Sequence, residues 1–110
     1  MLIDLKDRTA LVTGAGRSVG RGIAEVLASA GAFVYVNDLH AERAEEVVAE
    51  IESKGGSARA LAFDVTDPGA VARGFAAVES DDSSIEILVN NAGIAEGTRP
   101  VLFSESGPDD

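Results

Sequence analysis

The sequence predicts an α/β fold in which a parallel sheet is doubly wound, with helices on both of its faces. Short apolar runs typical of strands alternate with amphipathic helical segments in the order βαβαβαβ. The strand-like runs are almost continuously apolar, as expected for strands that are buried on both faces. Strands joined by helices of this length must run parallel, and their right-handed crossovers distribute the helices over the sheet.

The first strand and the first helix meet at a glycine-rich turn. Residues 9–13 form an apolar run that Gly14 closes, which predicts a buried strand. From Ser18 the pattern changes to a helical period, and Gly31 ends the helix. The apolar residues expected on the inner face of this helix are Val19, Ile23, Val26, Leu27 and Ala30.

The second strand and helix repeat this arrangement. Residues 33–37 form the strand, and the helix is expected over residues 41–54, where Gly55 and Gly56 stop it. Its glutamate-rich side is expected to face solvent. Its apolar face consists of Ala44, Val47, Val48 and Ile51.

The last elements are a third strand over residues 58–63, a helix, and a fourth strand over residues 85–89. The third helix is expected to begin at Thr66-Asp67-Pro68, because a capping side chain followed by proline is typical of a helix start. Its inner face is expected to consist of Val71, Phe75 and Val78. Residues 104–110 are polar and are expected to be a frayed tail.

Composition restricts the class of function. The 110 residues allow one domain or part of one, and 45% of them are hydrophobic, which fits a packed core. The net charge of -10 disfavours nucleic acid and anionic membranes as partners. There is no cysteine, signal-peptide layout or run of roughly 20 apolar residues, so a cytoplasmic location is expected by elimination.

No metal site is expected from the sequence. The single histidine, His40, has no neighbouring co-ligands, and a solvent-exposed loop position explains it better. The acidic pairs 81–82 and 109–110 lack the ordered ligand pattern of a cation site.

The turn at residues 13–20 has the character of a phosphate-binding loop. Glycines there allow a tight turn and the close approach of a ligand, and the helix that follows presents free N–H groups and a positive dipole end. A plain flexible turn is the alternative, but the complete βαβ context favours phosphate binding. An ATP-type loop is excluded because no Lys-Ser or Lys-Thr follows the glycines.

Asp38 is the candidate residue for choosing between cofactors. It lies just past the second strand, 18 positions after Gly20, where a carboxylate can accept both hydroxyls of an adenosine ribose. It would repel a 2′-phosphate, which favours NAD over NADP. Arg17 could instead hold that phosphate, but its side chain is free to swing into solvent whereas the position of Asp38 is fixed.

With these features placed, nearly the whole chain resembles the short-chain dehydrogenase/reductase family. Residues 13–20 resemble its Thr-Gly-x-x-x-Gly-x-Gly loop, Asp64-Val65 resembles its adenine-binding pair, and Asn90-Asn91-Ala92-Gly93 resembles its signature after the fourth strand. The resemblance implies the N-terminal, dinucleotide-binding half of a single Rossmann-type domain, partial here, with strand order 3-2-1-4.

The resemblance also assigns roles to individual residues. Pyrophosphate would be held by Gly14, Gly16, Arg17, Ser18, Val19 and Gly20. Asp38 would hold the ribose, and Asp64 and Val65 the adenine. Asn91, Ala92 and Gly93 would line the central part of the cofactor, whereas Asn90 would mainly tie strands together.

The chain departs from the family pattern in two ways. Ser18 stands where the family has its middle glycine, and it either weakens phosphate binding or donates its hydroxyl to a phosphate oxygen. The family's catalytic serine, Tyr-x-x-x-Lys pair and helix asparagine have no counterpart here, so no catalytic residue is assigned. The only tyrosine, Tyr35, lies inside a strand and is interpreted as a core residue, and position 39 is Leu39.

The leading hypothesis is an NAD(P)-dependent oxidoreductase that moves hydride between an alcohol and a ketone, for example of the 3-oxoacyl reductase type. This chain would supply the cofactor-binding half, be inactive alone, and leave its fourth strand as an open edge that invites association. The complete protein is expected to be a homo-oligomer. The alternatives are a non-catalytic nucleotide-binding module or truncated product, and, much less favoured, a flavodoxin-like receiver.

Overall fold

The computed structural model describes residues 3–81 and 83–91, and these residues contain one parallel four-stranded sheet. The strands are β1 (Thr9–Val12), β2 (Phe33–Val36), β3 (Ser57–Ala60) and β4 (Ile87–Val89). They lie in the order β3-β2-β1-β4, with every neighbouring pair parallel. The predicted fold class and strand order are confirmed. Ala92, Gly93 and the expected tail at 104–110 lie outside the described residues.

Helices cover both faces of the sheet. The three helices of the described part are α1 (Ser18–Ser29), α2 (Ala41–Ser53) and α3 (Pro68–Ser80). Helices α1 and α2 share a core with the side chains of β1 and β2 that point to one face. On the opposite face, Val78 of α3 packs with Leu11 and Tyr35. Because strand side chains alternate between faces, β1 and β2 each contribute side chains to both cores.

Helix α1 packs on the sheet through small residues, and the predicted inner face is wrong in part. Gly20, Ala24 and Ala28 are buried, at a spacing of four residues along the helix. Val19 and Val26, which were expected to face the core, are 68% and 50% exposed. The stripe of glycine and alanine lets the helix approach the strands closely, and this rotation turns both valines outward.

Helix α2 has the predicted inner face. Ala44, Val47 and Ile51 are buried, and Val48 packs against the same core while partly exposed. This face packs against the core as predicted, because its apolar residues recur at helical spacing and lie beside the strands β2 and β3.

Helix α3 begins where predicted, and its predicted inner face is right at Val78, which is buried, and wrong at Phe75. The Asp67 carboxylate accepts hydrogen bonds from the N–H groups of Gly69 and Ala70, which confirms the capped start before Pro68. The predicted residue Phe75 is exposed, and Gly74 is buried in its place. Gly74 lies against the ring of Phe63, and this aromatic ring fills the space that a larger helix residue would need.

The third and fourth strands are shorter than predicted. β3 ends at Ala60, yet the chain stays beside β2, because Leu61 N–H donates to the Val36 carbonyl and Phe63 N–H to the Asp38 carbonyl. β4 forms one edge of the sheet, and Leu88 on it is 55% exposed. Among the described residues, none of the helices is both long and apolar enough to span a membrane.

Candidate functional site

The predicted site residues that the structure describes lie at the carboxyl edge of the sheet. The glycine loop follows β1, Asp38 follows β2, Asp64 follows the chain beyond β3, and Asn91 follows β4. Parallel strands bring their carboxyl ends to the same edge, and open α/β sheets bind ligands outside that edge. The structure therefore collects residues that are up to 78 positions apart in the sequence.

The glycine loop exposes the start of α1. Gly16 and Gly20 are buried, whereas Arg17, Ser18 and Val19 are exposed. Arg17 occupies the N-cap position but gives no side-chain capping bond. The first amides of α1 are therefore without a side-chain cap from Arg17 at the positive end of the helix dipole, which is the arrangement that suits a phosphate.

Two loop residues adopt the left-handed backbone conformation. Gly14 has φ of 62°, which costs glycine little. Ser18 has φ of 55°, which is strained for a residue that has a Cβ atom. The departure from the family pattern thus falls where the backbone calls for glycine.

Gly20 brings α1, the loop and the end of β4 into contact. A Cβ atom at Gly20 would collide with the carbonyl oxygen of Gly14 and lie 2.6 Å from Nδ2 of Asn91. Asn91 in turn donates from Nδ2 to the Gly14 carbonyl over 3.2 Å and from its N–H to Oγ1 of Thr13 over 2.8 Å. The Thr13 hydroxyl also bonds Oδ1 of Asn90. These bonds attach the glycine loop to the residues that follow β4, the strand on one side of β1.

Asp38 binds the glycine loop from the other side of β1, where β2 ends. Its carboxylate is only 6% exposed and accepts the Gly16 N–H at Oδ1 over 3.2 Å and the His40 N–H at Oδ2 over 3.0 Å. A Cβ atom at Gly16 would lie 2.6 Å from Cγ of Asp38 and 2.7 Å from Cβ of Arg43. A carboxylate oxygen can accept more than one hydrogen bond, so Oδ1 and Oδ2 each keep a lone pair for a ligand hydroxyl.

Asn37 is a site residue that the sequence reasoning missed. It is 1% exposed, its Oδ1 accepts from the Gly14 N–H, and its Nδ2 donates to the carbonyls of Leu61 and Phe63. A signal was present, because an amide side chain at the end of an apolar strand needs buried partners. Periodicity by itself identifies Asn37 only as the last residue of the second strand.

Asp64 is held ionised by its neighbour. Its Oδ1 accepts from the Thr66 hydroxyl over 2.7 Å and from the Thr66 N–H over 2.9 Å. These two bonds, the hydroxyl first, hold the pKa of Asp64 below its usual value. Asp64 and Val65 are both partly buried at the carboxyl edge, where an ionised acceptor and an apolar side chain lie next to each other.

Tyr35 and His40 lie where predicted, and His40 contributes to this edge through the backbone N–H that it donates to Asp38. Tyr35 is a buried core residue whose hydroxyl donates to Oδ2 of Asp81, and burial is the main reason that its pKa is raised. His40 is exposed. Within residues 3–81 and 83–91, no group of three or more potential metal ligands comes together.

The sequence comparisons establish the family. A sequence model described as short chain dehydrogenase matches residues 8–109. This chain belongs to the short chain dehydrogenase family. Its relatives in that family are oxidoreductases.

Two curated relatives show the breadth of that family. The chain is 42% identical over 109 residues to gluconate 5-dehydrogenase of Gluconobacter oxydans, covering 99% of this chain and 43% of the relative. It is 40% identical over 104 residues to the 3-oxoacyl-[acyl-carrier-protein] reductase FabG of Aquifex aeolicus, covering 94% and 41%. The chain thus spans less than half the length of either relative.

Solved structures support the fold. A putative gluconate dehydrogenase from Agrobacterium tumefaciens has a TM-score of 0.77 at 43% identity, covering 80% of this chain and 35% of that one. A 7α-hydroxysteroid dehydrogenase complexed with NADH and 7-oxo glycochenodeoxycholic acid has a TM-score of 0.79 at 38% identity, covering 91% and 38%. The family binds nicotinamide dinucleotides.

Proposed function

We propose that this chain binds the adenosine diphosphate half of a nicotinamide dinucleotide, with NAD preferred over NADP, as the cofactor-binding part of an oxidoreductase. The observation that carries the proposal is the junction between the glycine loop and Asp38. There, uncapped helix amides and a buried carboxylate lie at the same edge of the sheet.

The glycine loop would hold the pyrophosphate. The uncapped amides at the start of α1 and the helix dipole would supply the favourable interaction without side-chain charge. Gly14, Gly16, Arg17, Ser18, Val19 and Gly20 form this cradle. Arg17 is exposed at its rim and adds the one positive side chain among these six residues.

Asp38 would hold the adenosine ribose and select NAD. Its two N–H partners keep the carboxylate in place, and its burial weakens the screening of its charge. Two unit charges about 4 Å apart interact by about 4 kcal/mol at an effective dielectric constant of 20, enough to disfavour a 2′-phosphate strongly. The next residue, Leu39, is exposed and offers no compensating positive charge.

The remaining contacts extend along the cofactor. The Asp64 carboxylate would accept the adenine amine and Val65 would lie against the ring. Asn91, with Ala92 and Gly93 beyond the described residues, would line the central part. The related 7α-hydroxysteroid dehydrogenase structure contains NADH, which supports a nicotinamide dinucleotide in this kind of fold.

For the protein as a whole we propose hydride transfer between an alcohol and a ketone. The bound nicotinamide would carry the hydride, and this chain would align the cofactor. The relatives named a gluconate dehydrogenase and a 3-oxoacyl reductase support this substrate class. No catalytic residue is assigned among these 110 residues, so the chain alone should bind cofactor without turnover. Homo-oligomerisation and a cytoplasmic location stay predictions.

A calorimetric titration with NAD and with NADP tests the proposal. Asp38→Asn keeps the side-chain shape and removes its charge, so NADP affinity should rise by about tenfold or more, since 1.4 kcal/mol corresponds to tenfold. Glu79→Gln, an exposed change of equal charge on α3, is the matched control and should leave both affinities unchanged. Tighter binding of NADP by the wild type would overturn the preference for NAD, and no binding of either cofactor would overturn the site.

The alternative is a nucleotide-binding module without activity. Adding NADH and a panel of ketones to the whole protein, of which this chain would be the cofactor-binding part, distinguishes the oxidoreductase from the inactive module. Oxidation of NADH supports the oxidoreductase, whereas binding without turnover by the intact protein supports the module.

A further inference from the structure

Asn37 connects two segments that the proposed function assigns to different parts of the nucleotide. We propose that Asn37 is a positioning residue that couples the diphosphate-binding loop to the adenine-binding segment, an inference that rests on the proposed function. Asn37 itself lies at the end of β2, is 1% exposed, and needs no contact with the ligand to act in this way.

On one side, Asn37 fixes the start of the loop. Its Oδ1 accepts the Gly14 N–H over 3.4 Å, and its backbone carbonyl accepts the Ala15 N–H over 2.7 Å. Its own N–H donates to the Val12 carbonyl over 3.0 Å. Three bonds from one residue therefore hold the place where β1 turns into the loop.

On the other side, Asn37 fixes the chain that leads to the adenine-binding pair. Its Nδ2 donates to the Leu61 carbonyl over 2.9 Å and to the Phe63 carbonyl over 3.2 Å. Phe63 directly precedes Asp64 and Val65, and its N–H donates to the Asp38 carbonyl. The side chain thus holds this segment beside β2 after β3 has ended.

The chemistry of the amide explains why asparagine is suited to this position. The loop supplies an N–H donor, and the chain after β3 supplies two carbonyl acceptors. A side chain between them must therefore accept at one end and donate at the other. Aspartate would turn an oxygen toward two carbonyls, and alanine would leave all three groups without this partner in a buried setting.

If Asn37 couples the two subsites, joining adenosine and diphosphate in one ligand should give a gain in binding affinity over the two separate fragments. If the two subsites are held at a fixed separation, ADP binds much more tightly than adenosine, because one molecule satisfies both at once. If Asn37 sets that separation, its loss should reduce the gain while leaving each subsite present.

The test compares Asn37→Asp with Tyr35→Phe in the intact protein. Tyr35 is buried in the same strand and bonds Asp81 rather than either subsite, so Tyr35→Phe controls for a loss of stability in β2. Dissociation constants for adenosine, inorganic pyrophosphate and ADP are measured by calorimetry at a temperature where circular dichroism shows each variant folded. The gain is the product of the adenosine and pyrophosphate constants divided by the ADP constant, so that weaker binding at one subsite alone leaves it unchanged.

We expect Asn37→Asp to lower the gain by about fivefold or more and Tyr35→Phe to leave it unchanged. An unchanged gain in Asn37→Asp, whatever its melting temperature, overturns the inference and leaves the proposed function standing. Wild-type protein that binds neither adenosine nor pyrophosphate overturns the proposed function and this inference with it.

A second measurement on the wild type covers the case in which Asn37→Asp does not fold. Inorganic pyrophosphate alone should slow amide hydrogen exchange at residues 63–65, because its binding steadies the loop that Asn37 connects to them. Slower exchange there supports the coupling. Exchange that pyrophosphate changes only within residues 13–20 overturns it.

Discussion

The backbone N–H of Gly16 donates a hydrogen bond to Oδ1 of Asp38 over 3.2 Å, and a Cβ atom on Gly16 would lie 2.6 Å from Cγ of the same residue. The two residues are 22 positions apart in the sequence. The Asp38 side chain fills the space that a side chain at position 16 would need. The loop after β1 and the carboxylate after β2 therefore form one unit. A change in either should disturb both pyrophosphate and ribose binding.

Gly16→Ala should damage this unit. The added methyl group collides with Asp38 and with Cβ of Arg43, so we expect a loss of stability of about 1–3 kcal/mol and NAD affinity about tenfold weaker. Thermal unfolding and calorimetry measure the two effects. Gly22→Ala is the matched control: nothing lies within 4 Å of its Cβ position, and alanine in a helix interior should add about 0.5–1 kcal/mol. Equal behaviour of the two variants would contradict the collision.

Ser18→Gly should relieve backbone strain. The φ of 55° at Ser18 costs a residue with a Cβ atom about 1–2 kcal/mol, partly offset by the greater freedom of glycine in the unfolded chain. We expect a net gain in stability of about 0.5–1 kcal/mol and somewhat tighter binding of NAD. Ser18→Ala keeps the strain and removes only the hydroxyl. If Ser18→Ala weakens NAD binding and Ser18→Gly does not tighten it, the serine hydroxyl is a phosphate donor instead.

Thr66→Val should shift the titration of Asp64. The Thr66 hydroxyl is the largest cause that lowers the pKa of Asp64, so its removal should raise that pKa toward the usual value near 3.9. A carboxyl with a lowered pKa stabilises the folded state above its unfolded pKa, and this contribution disappears as the pH falls through the folded pKa. The variant should therefore lose adenosine affinity at a higher pH than the wild type.

Carboxyl carbon shifts recorded by NMR during an acid titration give the pKa of Asp64 directly. Thr66→Ser retains both the hydroxyl and the N–H donor and should titrate like the wild type. A Thr66→Val variant in which the Asp64 pKa is unmoved would show that the hydroxyl is not responsible.

The 110-residue chain by itself should self-associate through β4. Leu88 is 55% exposed on this edge strand, and an apolar strand edge is a template for pairing with another chain. Leu88→Lys should reduce the sedimentation-detected oligomer, whereas Val26→Lys, on the exposed side of α1, should not. A monomer of the wild-type chain that melts cooperatively would count against this prediction.

The placement of the candidate site residues in the fold could largely be predicted because strand ends are visible in the sequence. Asp38 and Asp64 each follow an apolar run, and parallel strands bring such positions to one edge whatever the side chains in between. The buried core position of Tyr35 and the exposed position of His40 were predicted for the same reason, since one lies within a strand and the other follows one.

Other features depend on contacts that no local pattern specifies. Hydrophobic periodicity alone predicts Val19 and Val26 on the inner face of α1, but both are exposed. The residues that pack against the sheet are the smaller Gly20, Ala24 and Ala28. The rotation of a helix depends on how closely it can approach the strands, and that distance is a property of the packed pair.

By itself, the sequence determined the element order, the parallel sheet, the family and the positions of the loop and Asp38, because these follow from hydrophobic periodicity and short motifs. Only the tertiary structure decided that Gly16 must lack a side chain and that Asn37 joins the loop to the segment before Asp64. Both depend on the lateral pairing of β2 with its neighbours. That pairing brings together atoms of residues more than twenty positions apart, at separations that local sequence does not encode.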